Sequence, residues 1–331
     1  MCVLFWYRVK AGNKPAVAHY NRLKAGKGNK FRPNLIFKST SDLKHYQTMI
    51  LYKKAADLRK HLDDQSKSGK KTGFVPTMGA LHDGHLSLIR ISKKATDLTV
   101  CSIFVNPTQF NDPVDFEKYP ISTDADIALL LTAGCDILFL PDVKEMYPEG
   151  LTPTRHYDLG TMENLLEGQF RPGHFQGVCQ VVHRLMDQVQ PDQLFLGQKD
   201  YQQCMVINRL LHLTGFDKKT KLRVCPTLRE PDGLAMSSRN RRLNESNRIT
   251  AARIYRVLND IKEQLQPGDI SLLKKAAMTQ LQEAGFRTDY LELADANTLQ
   301  PVQSWNGHQK LVALVAAFLG PVRLIDNLPL N

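Results

Sequence analysis

Two histidines three residues apart, His82 and His85, sit in the stretch Pro76-Thr77-Met78-Gly79-Ala80-Leu81-His82-Asp83-Gly84-His85. At that spacing two side chains share one helix face, so both rings can reach one ligand. The run Gly73-Phe74-Val75 before them reads as a strand, and Leu86 to Arg90 after them as the first turns of a helix. A strand, a glycine-bearing turn and a helix start form a phosphate-binding layout. The first N–H groups of a helix lack intrahelical partners and carry partial positive charge, which suits an anion. Gly79 and Gly84 let backbone approach a ligand where a Cβ would clash. Two histidines are also half of a metal site. Zinc needs about three or four ligands, and no Cys or His pair at metal spacing lies nearby, so the flanking glycines favour phosphate.

The elements that must position this stretch alternate. Leu98–Val105, Cys135–Leu140, Gln193–Gly197 and Lys221–Cys225 are apolar or β-branched runs, and helical spacing fills Asp124–Gly134, Val178–Val189 and Tyr201–Leu213. Apolar strands alternating with helices predict an α/β fold, a Rossmann-like doubly wound parallel sheet covered on both faces, over residues 49–227. Such sheets bind ligands beyond the C-terminal ends of their strands. Asn106-Pro107-Thr108-Gln109-Phe110, Gly197-Gln198-Lys199-Asp200 and the loop after Cys225 lie at those ends. Past Thr227 the pattern changes to two long helices, Asn247–Leu265 and Ile270–Ala284, and strands over 289–294, 311–319 and 322–326. Residues 228–331 are therefore expected to form a smaller α+β C-terminal domain, with a hinge at the polar stretch Leu228–Asn240.

Composition narrows the class. Apolar residues make up 42% of 331, and the longest apolar run, Leu311–Leu319, is far too short to span a bilayer. Six dispersed cysteines read as reduced core thiols of a cytoplasmic protein. The net charge of +11 is uneven: residues 1–48 hold ten Lys/Arg and one Asp, leaving only +2 for the rest. The excess sits in one tail, so it does not make the body a nucleic-acid binder. Residues 1–48, lacking periodicity, are read as a disordered basic extension, with the folded protein beginning near Met49.

At the hinge a resemblance emerges. His82-Asp83-Gly84-His85 resembles the first signature of the HIGH nucleotidyltransferase superfamily, and Met236-Ser237-Ser238-Arg239 its second. More narrowly, Pro76–His85, Phe104–Phe110, Glu167–Gly177 (with Arg171-Pro172-Gly173-His174-Phe175), Gly197–Gln203 and Asp232–Asn240 resemble, in order, five blocks of the pantoate–β-alanine ligase family. Together they span most of residues 49–331.

The resemblance implies a two-step reaction. Pantoate carboxylate attacks the α-phosphate of ATP to give pantoyl adenylate and pyrophosphate; β-alanine then displaces AMP to give pantothenate. It implies Mg²⁺, a cytoplasmic homodimer, and neither nucleic acid nor membrane as partner. ATP would be held by Met78, Gly79, Ala80, Leu81, His82, Asp83, Gly84, His85, Gly197, Gln198, Lys199, Asp200, Leu228, Met236, Ser237, Ser238 and Arg239. Within that set His85 is the catalytic position, Lys199 and Arg239 are phosphate cations, Asp200 takes the ribose, and Leu228 meets adenine through its backbone. Gln109 and Gln203 would hold pantoate, Gln109 also β-alanine, and Asp115 would contact Mg²⁺.

Taken singly, Gln203 reads as a solvated helix residue, Lys199 as a surface lysine, and Ser237 and Ser238 as turn serines. Their joint placement at strand ends reverses those readings. Departures are Ile121, where the family often has Arg, Gln198 where Glu is common, and Leu228 where Val is usual. Two alternatives remain at this stage. A nucleotidyltransferase acting on a phosphate acceptor would need the two signatures but not the glutamine pair. A nucleic-acid module would use residues 1–48.

Overall fold

The computed structural model describes residues 48–331 except 111–115, 118, 153 and 154, together with the backbone of 3–7 and 18–19. Strands β1 (Val3–Tyr7) and β2 (Ala18–His19) precede β3 (Thr48–Tyr52), helix α1 (Ala55–Lys67), β4 (Thr72–Thr77), α2 (Asp83–Ala95), β5 (Leu98–Ile103) and α3 (Thr123–Thr132). Then come β6 (Ile137–Phe139), the short α4 (Val143–Met146) and α5 (Glu167–Phe170), α6 (His174–Val189), β7 (Gln193–Gly197), α7 (Tyr201–Thr214) and β8 (Lys221–Cys225). Strands β3, β6, β5, β4, β7 and β8 lie in that order, all parallel. This is the expected doubly wound α/β architecture. Within the basic extension, β1 adds antiparallel to β3 and β2 to β1. Those two segments depart from the expectation of a fully disordered extension; its remaining residues lie outside those described.

The inner strands are buried on both faces, while the edge strand β8 exposes Lys221, Arg223 and Val224. Phe74, Val100, Ile137 and Leu194 point into the core under α1, α6 and α7, while their successors Val75, Cys101, Leu138 and Phe195 point into the core under α2 and α3. Period-2 alternation thus feeds two cores instead of one core and water. The five described cysteines, Cys101, Cys135, Cys179, Cys204 and Cys225, are free and buried.

Strand order fixes the crevice. From β4 the chain runs outward to β5 and β6 on one side and returns to β7 on the other, so the order reverses between β4 and β7. β4 pairs with β5 over six residues, Thr72 to Thr77, but with β7 only at Gly73↔Gln193 and Phe74↔Leu194. The sequence explains the early stop. The Thr72 carbonyl faces β7, where it accepts from Asp192 N–H, and the Thr77 carbonyl faces the β5 side, where it accepts from Phe104 N–H. By alternation Pro76 faces β7, and proline has no N–H to offer. The strands part there.

The C-terminal region holds α8 (Glu245–Ala251), α9 (Arg253–Gln264), β9 (Gly268–Asp269), α10 (Ser271–Glu283), β10 (Arg287–Asp295), β11 (Ser304–Trp305), β12 (Leu311–Leu319) and β13 (Val322–Pro329). β10, β12 and β13 form an antiparallel sheet with β12 central, and β9 pairs with β11. The helix expected over 247–265 is two helices meeting at Ala252. An apolar seam of Leu166, Leu299, Val312 and Leu314, with Tyr201 packed against it, joins this lobe to the parallel sheet.

Candidate active site

The turn after β4 closes on itself. Gly79 has φ +85° and Ala80 φ +49°, the latter a left-handed conformation that costs a non-glycine residue. Asp126, buried on α3, holds that geometry: it accepts from Ala80 N–H at 2.9 Å, Leu81 N–H at 2.8 Å and the Ser122 hydroxyl at 3.1 Å. A Cβ on Gly79 would lie 3.0 Å from Asp126 Oδ2. His82 caps α2, its Nδ1 accepting from Gly84 N–H at 3.1 Å, while His85 Nδ1 accepts from His82 N–H at 3.4 Å. Four N–H groups of the turn, those of Ala80, Leu81, His82 and Gly84, thus have partners in Asp126 and the two histidines, and Gly79 N–H lies 3.3 Å from Thr77 Oγ1.

The two rings keep a donor of their own. Each Nδ1 is occupied as an acceptor, so each neutral ring carries its proton on Nε2. The ring centroids lie 4.0 Å apart with the planes tilted by 43°. Burial, then the His82 ring and Lys199, push His85 down to about 3. Burial, then Lys199 and Arg241, push His82 down to about 4. Both are neutral Nε2–H donors in the free protein, and the field of Lys199, at the end of β7, reaches both.

Two contacts bring the C-terminal signature against this turn. Arg241 Nη2 donates to the Leu81 carbonyl at 3.2 Å, and a Cβ on Gly84 would lie 3.6 Å from Met236 Cβ. Met236 N–H donates to the Leu228 carbonyl at 3.0 Å, and Ser237 Oγ caps the Ser238–Arg242 turn by accepting from Arg239 N–H. From β13, Asn327 Nδ2 donates to the carbonyls of Gln198 and Lys199 at 2.9 and 2.8 Å, fixing the turn after β7. Arg229 grips the buried Asp326 next to it at 2.6 and 3.1 Å.

A cavity of about 540 Å³ lies between the lobes, and Lys199, Asp200, Gln203, Ser237 and Arg239 all line it. Met78, Gly79 and Ala80 instead border a separate hollow of about 290 Å³ beyond β5 and β6. Leu81 is buried in the core, Asp83 is exposed on the first turn of α2, and Leu228 is exposed. Asp115 lies outside the described residues.

Gln109 is buried beside the β4 turn. Its Oε1 accepts from Asn106 Nδ2 at 3.2 Å, so its Nε2 is the donor, directed at Met78 Sδ at 2.9 Å. A thioether is a weak acceptor, so this N–H is available to a stronger one. Asn106 is fully buried and held by Tyr147 O–H at 2.7 Å.

Sequence reading gave no role to Asn106, Asp126, Arg241, Arg323 or Asn327. Asn106 carried a usable signal, since Asn before Pro starts a turn. The other four act across tens of residues, and no local pattern marks them.

A family model described as pantoate-beta-alanine ligase matches residues 50–329. The chain belongs to the pantoate–β-alanine ligase family. Among its relatives, the pantothenate synthetase of Pseudomonas fluorescens (strain Pf0-1) is 46% identical over 287 residues, covering 86% of this chain and 98% of that protein. That of Bacteroides thetaiotaomicron is 44% identical over 273 residues, covering 82% and 95%. The crystal structure of the Thermus thermophilus pantothenate synthetase superposes with a TM-score of 0.78 at 41% identity, covering 85% and 99%. A Francisella tularensis pantoate–β-alanine ligase, complexed with beta-gamma ATP and beta-alanine, superposes at 0.71 with 37% identity, covering 85% and 97%. The pantoate–β-alanine ligase fold therefore covers the described body of this chain, and the enzyme is a ligase of pantothenate biosynthesis.

Among the described residues no three His, Cys, Asp or Glu side chains cluster to hold a metal. Mg²⁺ needs only one or two protein carboxylates when phosphates and water complete its shell. Asp200, a carboxylate lining the cavity beside Lys199, fits that modest demand for a Mg²⁺ carried on a nucleotide. No helix of the described residues is long and apolar enough to cross a membrane.

Proposed function

We propose that this ligase joins pantoate to β-alanine through a pantoyl-adenylate intermediate, with ATP bridging the two lobes. The carrying observation is that Lys199, Asp200, Gln203, Ser237 and Arg239 line one cavity between the lobes, while Arg241 Nη2, donating to the Leu81 carbonyl, holds the C-terminal signature against the turn that carries His82 and His85. The pantoate carboxylate attacks the α-phosphorus in line and pyrophosphate leaves. The β-alanine amine then attacks the acyl carbon and AMP leaves. In-line displacement at phosphorus needs chiefly positioning and neutralisation of spreading charge.

His85, neutral with its proton on Nε2, donates a hydrogen bond to phosphate oxygens instead of transferring a proton; His82 does the same beside it. Lys199 and Arg239 neutralise the triphosphate, and Ser237 and Ser238 add donors. Asp200 accepts from ribose hydroxyls, and the Leu228 backbone meets adenine. Gln109 Nε2 leaves Met78 for the pantoate carboxylate, Gln203 holds the hydroxy acid's other end, and Gln109 later meets β-alanine. Mg²⁺, carried on the nucleotide, would add charge neutralisation at the phosphates. We read the chain as two lobes, 49–227 and 228–331, with residues 1–48 dispensable, acting as a cytoplasmic homodimer.

The test uses pantoate labelled with ¹⁸O in its carboxylate. The adenylate route carries one label into AMP on β-alanine attack; label in inorganic phosphate, with ADP formed, defeats it. His85→Ala should lower kcat by about 10²–10³-fold, as loss of one preorganised donor does.

A further inference from the structure

A buried ionic cluster joins the lobes along one wall of the cavity that Lys199 and Arg239 also line. Arg323 on β13 lays both Nη atoms on Glu167, at 2.9 and 2.8 Å, and its Nε on Asp289 Oδ2 at 2.7 Å. Tyr290 O–H donates to Glu167 Oε1 at 2.9 Å. Glu167 starts α5 on the parallel-sheet lobe; Arg323, Asp289 and Tyr290 belong to the C-terminal sheet. An ion pair this buried adds little net stability over a well-packed apolar replacement, because desolvation offsets its attraction. It does fix geometry, since a planar guanidinium between two carboxylates has one arrangement.

The fixed geometry continues inward. Arg171 Nη1 lies 3.9 Å from Glu167 Oε2 and donates to His174 Nε2 at 3.1 Å. His174 Nδ1 lies 2.8 Å from the Gln109 carbonyl, which can only accept, so the ring proton sits on Nδ1. Gln109 in turn aims Nε2 at Met78. Contacts therefore run without a break from β13 to the amide beside the β4 turn.

We propose that Arg323, Glu167 and His174 are positioning residues for the acid substrate: through Arg171 they set the Gln109 backbone, and so aim its amide, while the C-terminal lobe is docked. This rests on the reading of Gln109 as the acid-binding amide. A contiguous chain of contacts is not itself coupling, so the claim stands on the non-additivity of its members.

The experiment measures KM for pantoate and for ATP in the full chain, with a thermal midpoint for each variant. Glu167→Gln, Arg323→Lys and His174→Gln are each expected to raise KM for pantoate about tenfold, within the usual range of coupling between sites, while KM for ATP stays within about twofold. His174→Asn, which keeps a donor near the Nδ1 position, should recover pantoate KM to within about threefold of wild type. The double variant Glu167→Gln/Arg323→Lys should be no worse than the worse single one. Parallel rises in both KM values, a double effect equal to the product of the singles, or no rescue by Asn overturns the proposal. Gln109→Ala separates the two failures. If it leaves pantoate KM unchanged, the acid-binding reading falls and this proposal with it. If it raises KM while His174→Gln does not, only the positioning chain falls. Should Glu167→Gln not fold, Arg323→Lys and the two His174 variants decide the matter.

Discussion

Asp126 is the group whose removal should most directly unmake the turn after β4. It is 2% exposed and accepts three hydrogen bonds, two from backbone N–H groups of the turn. In Asp126→Ala both N–H groups lose their acceptor, at about 1–3 kcal/mol each, and the Ser122 hydroxyl adds up to about 1. Relief of the carboxylate's own desolvation returns part of this, so the expected loss is roughly 3–5 kcal/mol. Asp126→Asn keeps the Leu81 and Ser122 bonds through Oδ1 but sets an N–H₂ against Ala80 N–H, for roughly 2–3 kcal/mol. Ala80, freed from φ +49°, then relaxes towards negative φ and carries the histidine cap with it. Urea unfolding gives the stability change; initial rates of pyrophosphate release give KM for ATP, expected to rise at least about tenfold, or 1.4 kcal/mol of binding. A stability loss under about 1 kcal/mol with unchanged KM for ATP would refute the assignment of Asp126 as the turn's scaffold.

Acid should destabilise the enzyme earlier than its carboxylates alone would. His82 and His174 are pushed down to about 4 and His85 to about 3, burial being the first cause in each. The folded chain thus binds fewer protons than the unfolded one below about pH 6.5, and stability present above that value is lost as pH falls towards 4 and then 3. The slope should reach up to about 4 kcal/mol per pH unit for the three rings, and His174→Asn should lower it by about 1.4; denaturant unfolding at several pH values measures both. Gly177→Ala would set a Cβ 2.2 Å from the Thr108 carbonyl oxygen and 2.8 Å from Gln109 Cα. These are backbone atoms that cannot swing away, so about 1–3 kcal/mol of stability should be lost. KM for pantoate should rise more than KM for ATP, a split that steady-state kinetics on the purified variant resolves.

The parallel sheet was legible because buried strands and amphipathic helices write different periods into one chain. Pro76, where β4 leaves β7, took its meaning only from the register. The long helix expected over 247–265 was misread, since Ala252 carries no breaker signal and the apolar spacing continues across the break. The chemistry-bearing loops were legible as motifs; their manner of working was not. A glycine-bearing turn before a helix predicts naked amides, and Asp126, 41 residues beyond His85, takes two of them, Ala80 and Leu81, through tertiary contact. Arg323 and Asn327 reach the site from β13 with nothing local to distinguish them from surface residues of a strand.

The self-filled turn bears on how the enzyme releases its products. Naked amides would retain any small oxyanion, including the phosphate of AMP. Here the cations and ring donors are divided between two lobes, so a ligand must be long enough to touch both to hold them together. On the reading proposed above, ATP bridges the lobes through its phosphates as well as through its base and ribose. Once pyrophosphate has left, AMP would keep the base and ribose contacts alone, so the division of cations between lobes would loosen the grip on the product.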